Sequence, residues 1–227
     1  MQNMNVGIIN GVKRYPPPWN LKGNGYILFY KFPKYFVMEK GFIPAFLRTS
    51  FAGGLGAVMM IDYAESNAGP YGELLFIPGK FRFKGKKLSC ITKIYVSTRE
   101  SVINGWENWA IAKEQADFSF SESERKRSGK VGVIKGAEPV IQVSLKNGRI
   151  SFPTDTRFLP FPLVQEKEGK LYYTHFTGKG RARFARVEDM RINPELFPDV
   201  VPYRPLMTMR IDNFVVTFPP SEIRTIA

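Results

Sequence analysis

A lysine becomes a nucleophile when its surroundings strip water from its charged form, because the ammonium then loses its main stabilisation. Lys113 is the residue of this chain best placed for that, since it follows Trp109-Ala110-Ile111-Ala112 directly. An uncharged amine there could condense with a ketone or aldehyde to give an imine. A solvated lysine at the end of an element is the other reading, and this window alone leaves both open.

The elements around Lys113 decide where the amine can point. Ser101, Val102, Trp106 and Trp109 recur at spacings that share one helical face, although Gly105 costs helix stability. Ala116-Asp117-Phe118-Ser119-Phe120 then alternates as a strand does. Lys113 therefore stands where a helix hands over to a strand. Because strand side chains alternate between faces, Glu114 is expected to face away from it.

Composition narrows the rest. A chain of 227 residues, 44% hydrophobic, can bury a sizeable core in one domain. With 20 Gly, 17 Pro and 14% aromatic residues, its punctuation suits many short strands separated by turns. Cys90 is the single cysteine, which excludes an internal disulfide and fits a reducing compartment. His175 is the single histidine, so a histidine-rich zinc site is excluded by count; neither metal nor cofactor is expected. No charged, apolar leader or membrane-length apolar window is present, and the expected location is cytoplasmic.

The net charge of +13 raises the question of nucleic acid. Its densest cluster, Arg125-Lys126-Arg127, falls where a hairpin tip is expected, after Phe118 and Phe120 and before Val131-Gly132-Val133. Charge scattered over loops is a solvated surface, so no specific nucleic-acid partner is expected. Residues 1–17 end in a proline run and read as an extended lead-in. Beyond them, Gly25–Tyr30 reads as a strand apolar on both faces, and Tyr35–Lys40 as a short helix. Gly53–Tyr63, Glu73–Phe76 and Lys87–Ser97 follow as strands. Asn147-Gly148 predicts a hairpin between strands at 138–145 and 148–152. A proline-rich link at 158–162 leads to strands near 170–176 and 181–188, an irregular stretch over 191–205, and a closing strand at 206–218. One antiparallel, β-rich α+β domain over 18–227, with a few helices, is the fold expected.

Four patches carry a family resemblance. Gly105 and Glu107 form a Gly-x-Glu, and Lys113 stands six residues after Glu107. Tyr71–Gly79 holds Glu73 inside a strand. Pro18-Trp19-x-Leu21-x-Gly23-x-Gly25-Tyr26 opens the region, and Met209–Pro220 closes it. Together they resemble the acetoacetate decarboxylase superfamily, over nearly the whole chain. The resemblance implies a cone-shaped β-barrel, Lys113 as Schiff-base lysine and Glu73 as an active-site carboxylate. A buried Glu73 would need a partner; beside Lys113 it could shuttle protons.

The resemblance also marks departures. Decarboxylases of the family carry a second lysine directly after the first, where Glu114 stands here. Their substrate-binding arginine near the first strand has only Lys22 as a counterpart, and a further carboxylate would fall near Val58 or Met59. Tyr71, Met59, Glu114 and Lys22 are accordingly the substrate-binding expectations. Two functions follow: a lyase forming a lysine Schiff base with a keto acid or related carbonyl compound, or a non-catalytic pocket for an apolar small molecule. The expected partner is a small carbonyl compound, with homo-oligomerisation open.

Overall fold

The structure, a computed structural model, describes residues 7–158 and 161–225. Its centre is an eleven-stranded sheet whose order runs Asp117–Glu122, Ser128–Lys135, Glu138–Asn147, Thr177–Ile192, Met207–Phe218, Trp19–Tyr30, Gly56–Glu65, Tyr71–Ile77, Lys93–Val96, Glu114–Gln115. Phe152–Asp155 pairs on the side of Thr177–Ile192. The first and last strands of that order are separated in the chain by Ala116 alone. The sheet thus curls back on itself into a nearly closed barrel. Where the ends approach, the ring of Phe118 occupies the space a side chain at Gly72 would need, 2.7 Å from an added Cβ.

Curling explains why Gly25–Tyr30 and Tyr71–Ile77 show no polar alternation. In a strand, side chains alternate between faces, and here both faces are covered. Tyr26, Leu28, Val58, Met60, Leu74 and Phe76 pack with Val131, Val133, Val143 and Leu145 from the far end of the curled sheet. Their neighbours one residue along, Phe29, Met59, Leu75 and Ile77, pack in a second cluster with Trp19, Trp109, Phe161 and Met209. Leu74 is wholly buried in the first cluster. Leu74→Ala is therefore expected to destabilise the fold by about 3 kcal/mol, through lost transfer energy plus a residual cavity, read as a lower denaturation midpoint.

A five-stranded sheet lies beside the large one, in the order Glu222–Thr225, Lys170–Thr174, Leu163–Lys167, Lys86–Ser89, Lys80–Phe83. The expected continuous strand at Lys87–Ser97 is in fact two strands in two sheets. Lys86–Ser89 pairs with Lys80–Phe83, and Lys93–Val96 with Tyr71–Ile77. Cys90 and Ile91, both buried, carry the chain across. The expected hairpin at Asn147-Gly148 is also corrected. Asn147 closes a strand that pairs with Ser128–Lys135 and Thr177–Ile192, and its amide donates to Tyr26 Oη and Lys126 O. That buried role uses the asparagine for cross-sheet bonding rather than for a turn. The strand expected from 181 begins at Thr177 and continues to Ile192.

Two α-helices, Lys34–Lys40 and Arg99–Trp109, are described. The second is the crossover between the parallel strands Lys93–Val96 and Glu114–Gln115, a pairing that cannot be made by a tight turn. The lead-in is tied to it: Asn104 bonds the backbone of Lys13 and Tyr15, and the Asn108 amide donates to Tyr15 O. Residues 1–6 and part of the expected 158–162 link lie outside the described residues. The basic cluster at 125–127 does sit at an exposed hairpin tip. No helix among the described residues is long and apolar enough to cross a membrane.

Candidate active site

The position of Lys113 follows from how the crossover helix ends. Thr98 caps its start, accepting from the Ser101 N–H at 3.3 Å. At its end Ala110 adopts a left-handed conformation, φ 55°. The Ala110 N–H bonds Trp106 O at 3.1 Å, and the Ile111 N–H bonds Gly105 O at 3.2 Å. This left-handed cap, with its bond from Ala110 N–H to Trp106 O, reverses the chain, so residues 111–113 run back along the helix they have just left. Ser101 and Gly105, one turn apart on the same face, lie under the returning lysine stem.

A side chain at Gly105 would displace the lysine stem. An added Cβ would stand 2.7 Å from Lys113 Cε and 2.8 Å from Cδ. Gly105→Ala should raise helix propensity by about 1 kcal/mol, yet it must push the amine aside. A displacement of about 1 Å can cost on the order of 100-fold in rate. The expected result is unchanged or higher thermal stability with a turnover loss of that order. Unaltered turnover would show that the stem tolerates the methyl group.

At the end of this channel, Lys113 Nζ donates to Glu73 Oε2 and to Ser101 Oγ, both at 3.0 Å. Lys113 and Glu73 side chains are only 5% and 7% exposed, so the ion pair is buried and each charge depends on the other. Glu73 reaches this place through register. Ile61 lies opposite it and Tyr63 opposite Tyr71, so the faces that carry Met59, Ile61 and Tyr63 also carry Glu73 and Tyr71. The Tyr63 hydroxyl donates to Glu73 Oε1 at 3.2 Å. The ring of Tyr71 lies 5.2 Å from Lys113 Nζ, a cation–π contact.

Burial pushes the Tyr71 hydroxyl well above the usual tyrosine range, and the charge of Glu73 adds to that, while a hydrogen bond with Ser101 opposes it. Burial likewise raises Tyr63, again with Glu73 adding. Both phenols therefore stay protonated, and Tyr63 donates to the carboxylate.

A chamber of about 30 Å³ opens beside this pair, lined by Lys113, Glu73, Tyr71, Tyr63, Trp109 and Ile111 among others. A second cavity, of about 140 Å³, shares Glu73, Tyr63, Leu75, Ile91 and Phe218 with it and includes Met59. Lys113, Glu73, Tyr71 and Met59 are thus brought to one region. Two of the expected site residues lie elsewhere. Glu114 turns away to pair with Lys93 at 2.5 Å and Lys135 at 2.6 Å, an arrangement that holds its carboxyl below the usual range even though burial alone would raise it. Lys22 pairs with Glu65 at 2.8 Å on the exposed surface. Neither lines either cavity. Glu107 also points elsewhere, to Lys167 at 2.9 Å.

Ser101 and Tyr63 were not singled out from sequence. The signal for Ser101 is a second small residue four positions before Gly105 in a helix otherwise rich in tryptophan. For Tyr63 it is the period-two step onward from Met59. Among the described residues, no group of three or more His, Cys, Asp or Glu is placed to hold a metal ion.

Comparison with known proteins bears on the family and the fold. The sequence model of a family described as acetoacetate decarboxylase matches residues 11–152. No curated protein matches. Among solved structures, an acetoacetate decarboxylase from Legionella pneumophila superimposes with a TM-score of 0.73 at 14% identity, covering 92% of this chain and 88% of that one. The enduracididine biosynthesis enzyme MppR, complexed with the condensation product of pyruvate and imidazole 4-carboxaldehyde, gives 0.63 at 14% identity, covering 93% and 91%. An acetoacetate decarboxylase-like enzyme from Sphingomonas wittichii gives 0.65 at 9% identity, covering 93% and 94%. At these identities the likeness is one of fold.

Proposed function

The chain belongs to the acetoacetate decarboxylase family, and from that premise we propose that it is a lyase in which Lys113 forms a Schiff base with a carbonyl substrate. The observation that carries the reading is the buried contact of Lys113 Nζ with Glu73 Oε2, 3.0 Å apart at the edge of an apolar cavity. For the amine to attack, its extra proton must leave, and Glu73 is within reach to take it. The amine nitrogen then bonds to the carbonyl carbon. The former carbonyl oxygen departs as water, protonated through Glu73, and leaves an iminium. That cation draws electrons from the adjacent carbon, which eases breaking of a carbon–carbon or carbon–oxygen bond. Hydrolysis by water returns the free lysine.

Tyr63 holds Glu73 from the far oxygen, and Ser101 holds the amine, so both groups are oriented before substrate arrives. Support for β-keto acid decarboxylation specifically is weaker. The position after Lys113 is Glu114, which faces elsewhere, and no arginine lines either cavity among the described residues. Aldol or dehydration chemistry on the same iminium needs neither group.

The apolar lining favours a second reading, a binder of apolar small molecules without turnover. Borohydride treatment with a panel of ketones, aldehydes and keto acids separates the two. The lyase reading expects a reduced adduct located on Lys113 by mass spectrometry. Absence of any adduct at neutral pH leaves the binder.

A further inference from the structure

Resting on the lysine chemistry just described, the walls of the adjoining cavity narrow the substrate class. Ile27, Phe29, Met59, Ile61, Leu75 and Met209 form its apolar lining beside Glu73. The chamber at Lys113, about 30 Å³, has room for little more than a carbonyl group, whereas the adjoining space is about 140 Å³. A dry apolar cavity of about 150 Å³ accommodates a benzene-sized guest.

The polar groups lining that space lie at Tyr63 and Glu73, or across the sheet at Thr154, Asp155, Thr156 and Lys179. Four strands separate the strand of Thr154 and Asp155 from the strand of Glu73. Asp155 is engaged by Arg157 at 2.9 Å, and Thr156 Oγ1 accepts from the Gly178 N–H at 2.9 Å. Lys179, the only cation in that lining among the described residues, is exposed. A substrate carboxylate beside the reacting carbonyl would therefore lie against Leu75, Ile91 or Phe218 and next to the negative Glu73. It would lose hydration and meet only donors that Glu73 already engages, Tyr63 and Lys113.

We propose that the substrate is an aldehyde or ketone carrying an uncharged apolar group of about six carbons, seated in the cavity bordered by Met59, Ile61 and Met209 while its carbonyl meets Lys113.

The wild-type protein tests this with methyl ketones from butanone to nonanone, pyruvate and acetoacetate, each trapped with borohydride. The concentration giving half-maximal adduct on Lys113 should fall about fourfold per added methylene, then level off once the apolar group reaches about six carbons. Both keto acids should trap more weakly than butanone. A flat length series, or stronger trapping of the keto acids, overturns the assignment while leaving the Schiff-base reading intact. Linear alcohols of the same lengths cannot form imines and report the cavity alone. If no carbonyl compound is trapped but thermal stabilisation by alcohols rises with length, the lysine chemistry and the carbonyl substrate fall together, and an apolar guest remains. If alcohols give no length-dependent stabilisation either, the assignment falls too. Met209→Phe, which narrows the cavity, should lower the ratio of long-ketone to short-ketone trapping; an unchanged ratio in a folded variant counts against it.

Discussion

Replacing Lys113 with alanine is expected to remove all borohydride-trapped adduct and to lower turnover by a factor on the order of 10⁴ or more, as loss of a covalent nucleophile does. The same change leaves Glu73 buried without its cation, which costs about 3 kcal/mol unless the carboxyl takes up a proton. Activity and stability therefore fall together, and a stability loss alone could mimic a catalytic one. Lys113→Arg separates them. A guanidinium can keep the ion pair with Glu73 but stays charged and cannot add to a carbonyl. Its melting temperature should lie closer to wild type than that of the alanine variant, with trapping still absent. Adduct formation in either variant would move the nucleophile to another residue.

Glu73→Gln is expected to reduce turnover by about 10²- to 10⁴-fold, the usual worth of a positioned acid–base group. Trapping should suffer less. The amine retains Ser101 as a partner at 3.0 Å, and the glutamine oxygen can still accept a hydrogen bond from Tyr63. Imine formation then proceeds slowly, while each step that needs a proton relayed at the carboxylate is impaired. Comparing single-turnover trapping with steady-state turnover gives the test. Equal losses in both would make Glu73 a group that only positions the amine, and no loss in either would remove it from the chemistry.

Much of this arrangement is legible in the chain because it depends on short-range spacing. The helix before Lys113 and the strand after it are read from short-range spacing, whereas the left-handed reversal at Ala110 and the contact of Gly105 with the lysine stem come from the structure. The apolar run at Tyr71–Ile77 announces a strand covered on both sides. Less legible is whatever depends on which strand lies opposite. Asn147-Gly148 has the composition of a hairpin turn, but long-range pairing with Thr177–Ile192 overrides it. Lys87–Ser97 contains two strands because its apolar spacing does not reveal a change of sheet at Cys90 and Ile91. Lys22 and Glu114 resemble site residues by position, and only the placement of Glu65, Lys93 and Lys135 shows that their charges are already matched.

The parallel joint between Lys93–Val96 and Glu114–Gln115 divides the labour of the molecule. Ser101, Gly105 and Lys113 all belong to the single connection that this joint demands, a stretch of chain leaving one strand and returning beside it. The walls that would grip a substrate's apolar body come instead from antiparallel strands, at Ile27, Met59, Ile61 and Met209. On the proposed reading, reactivity and molecular choice are thus written in different parts of the chain, meeting at Glu73. Substitutions along the wall strands can exchange one guest for another without disturbing how the amine is held, so such a scaffold can acquire new substrates before it changes its reaction.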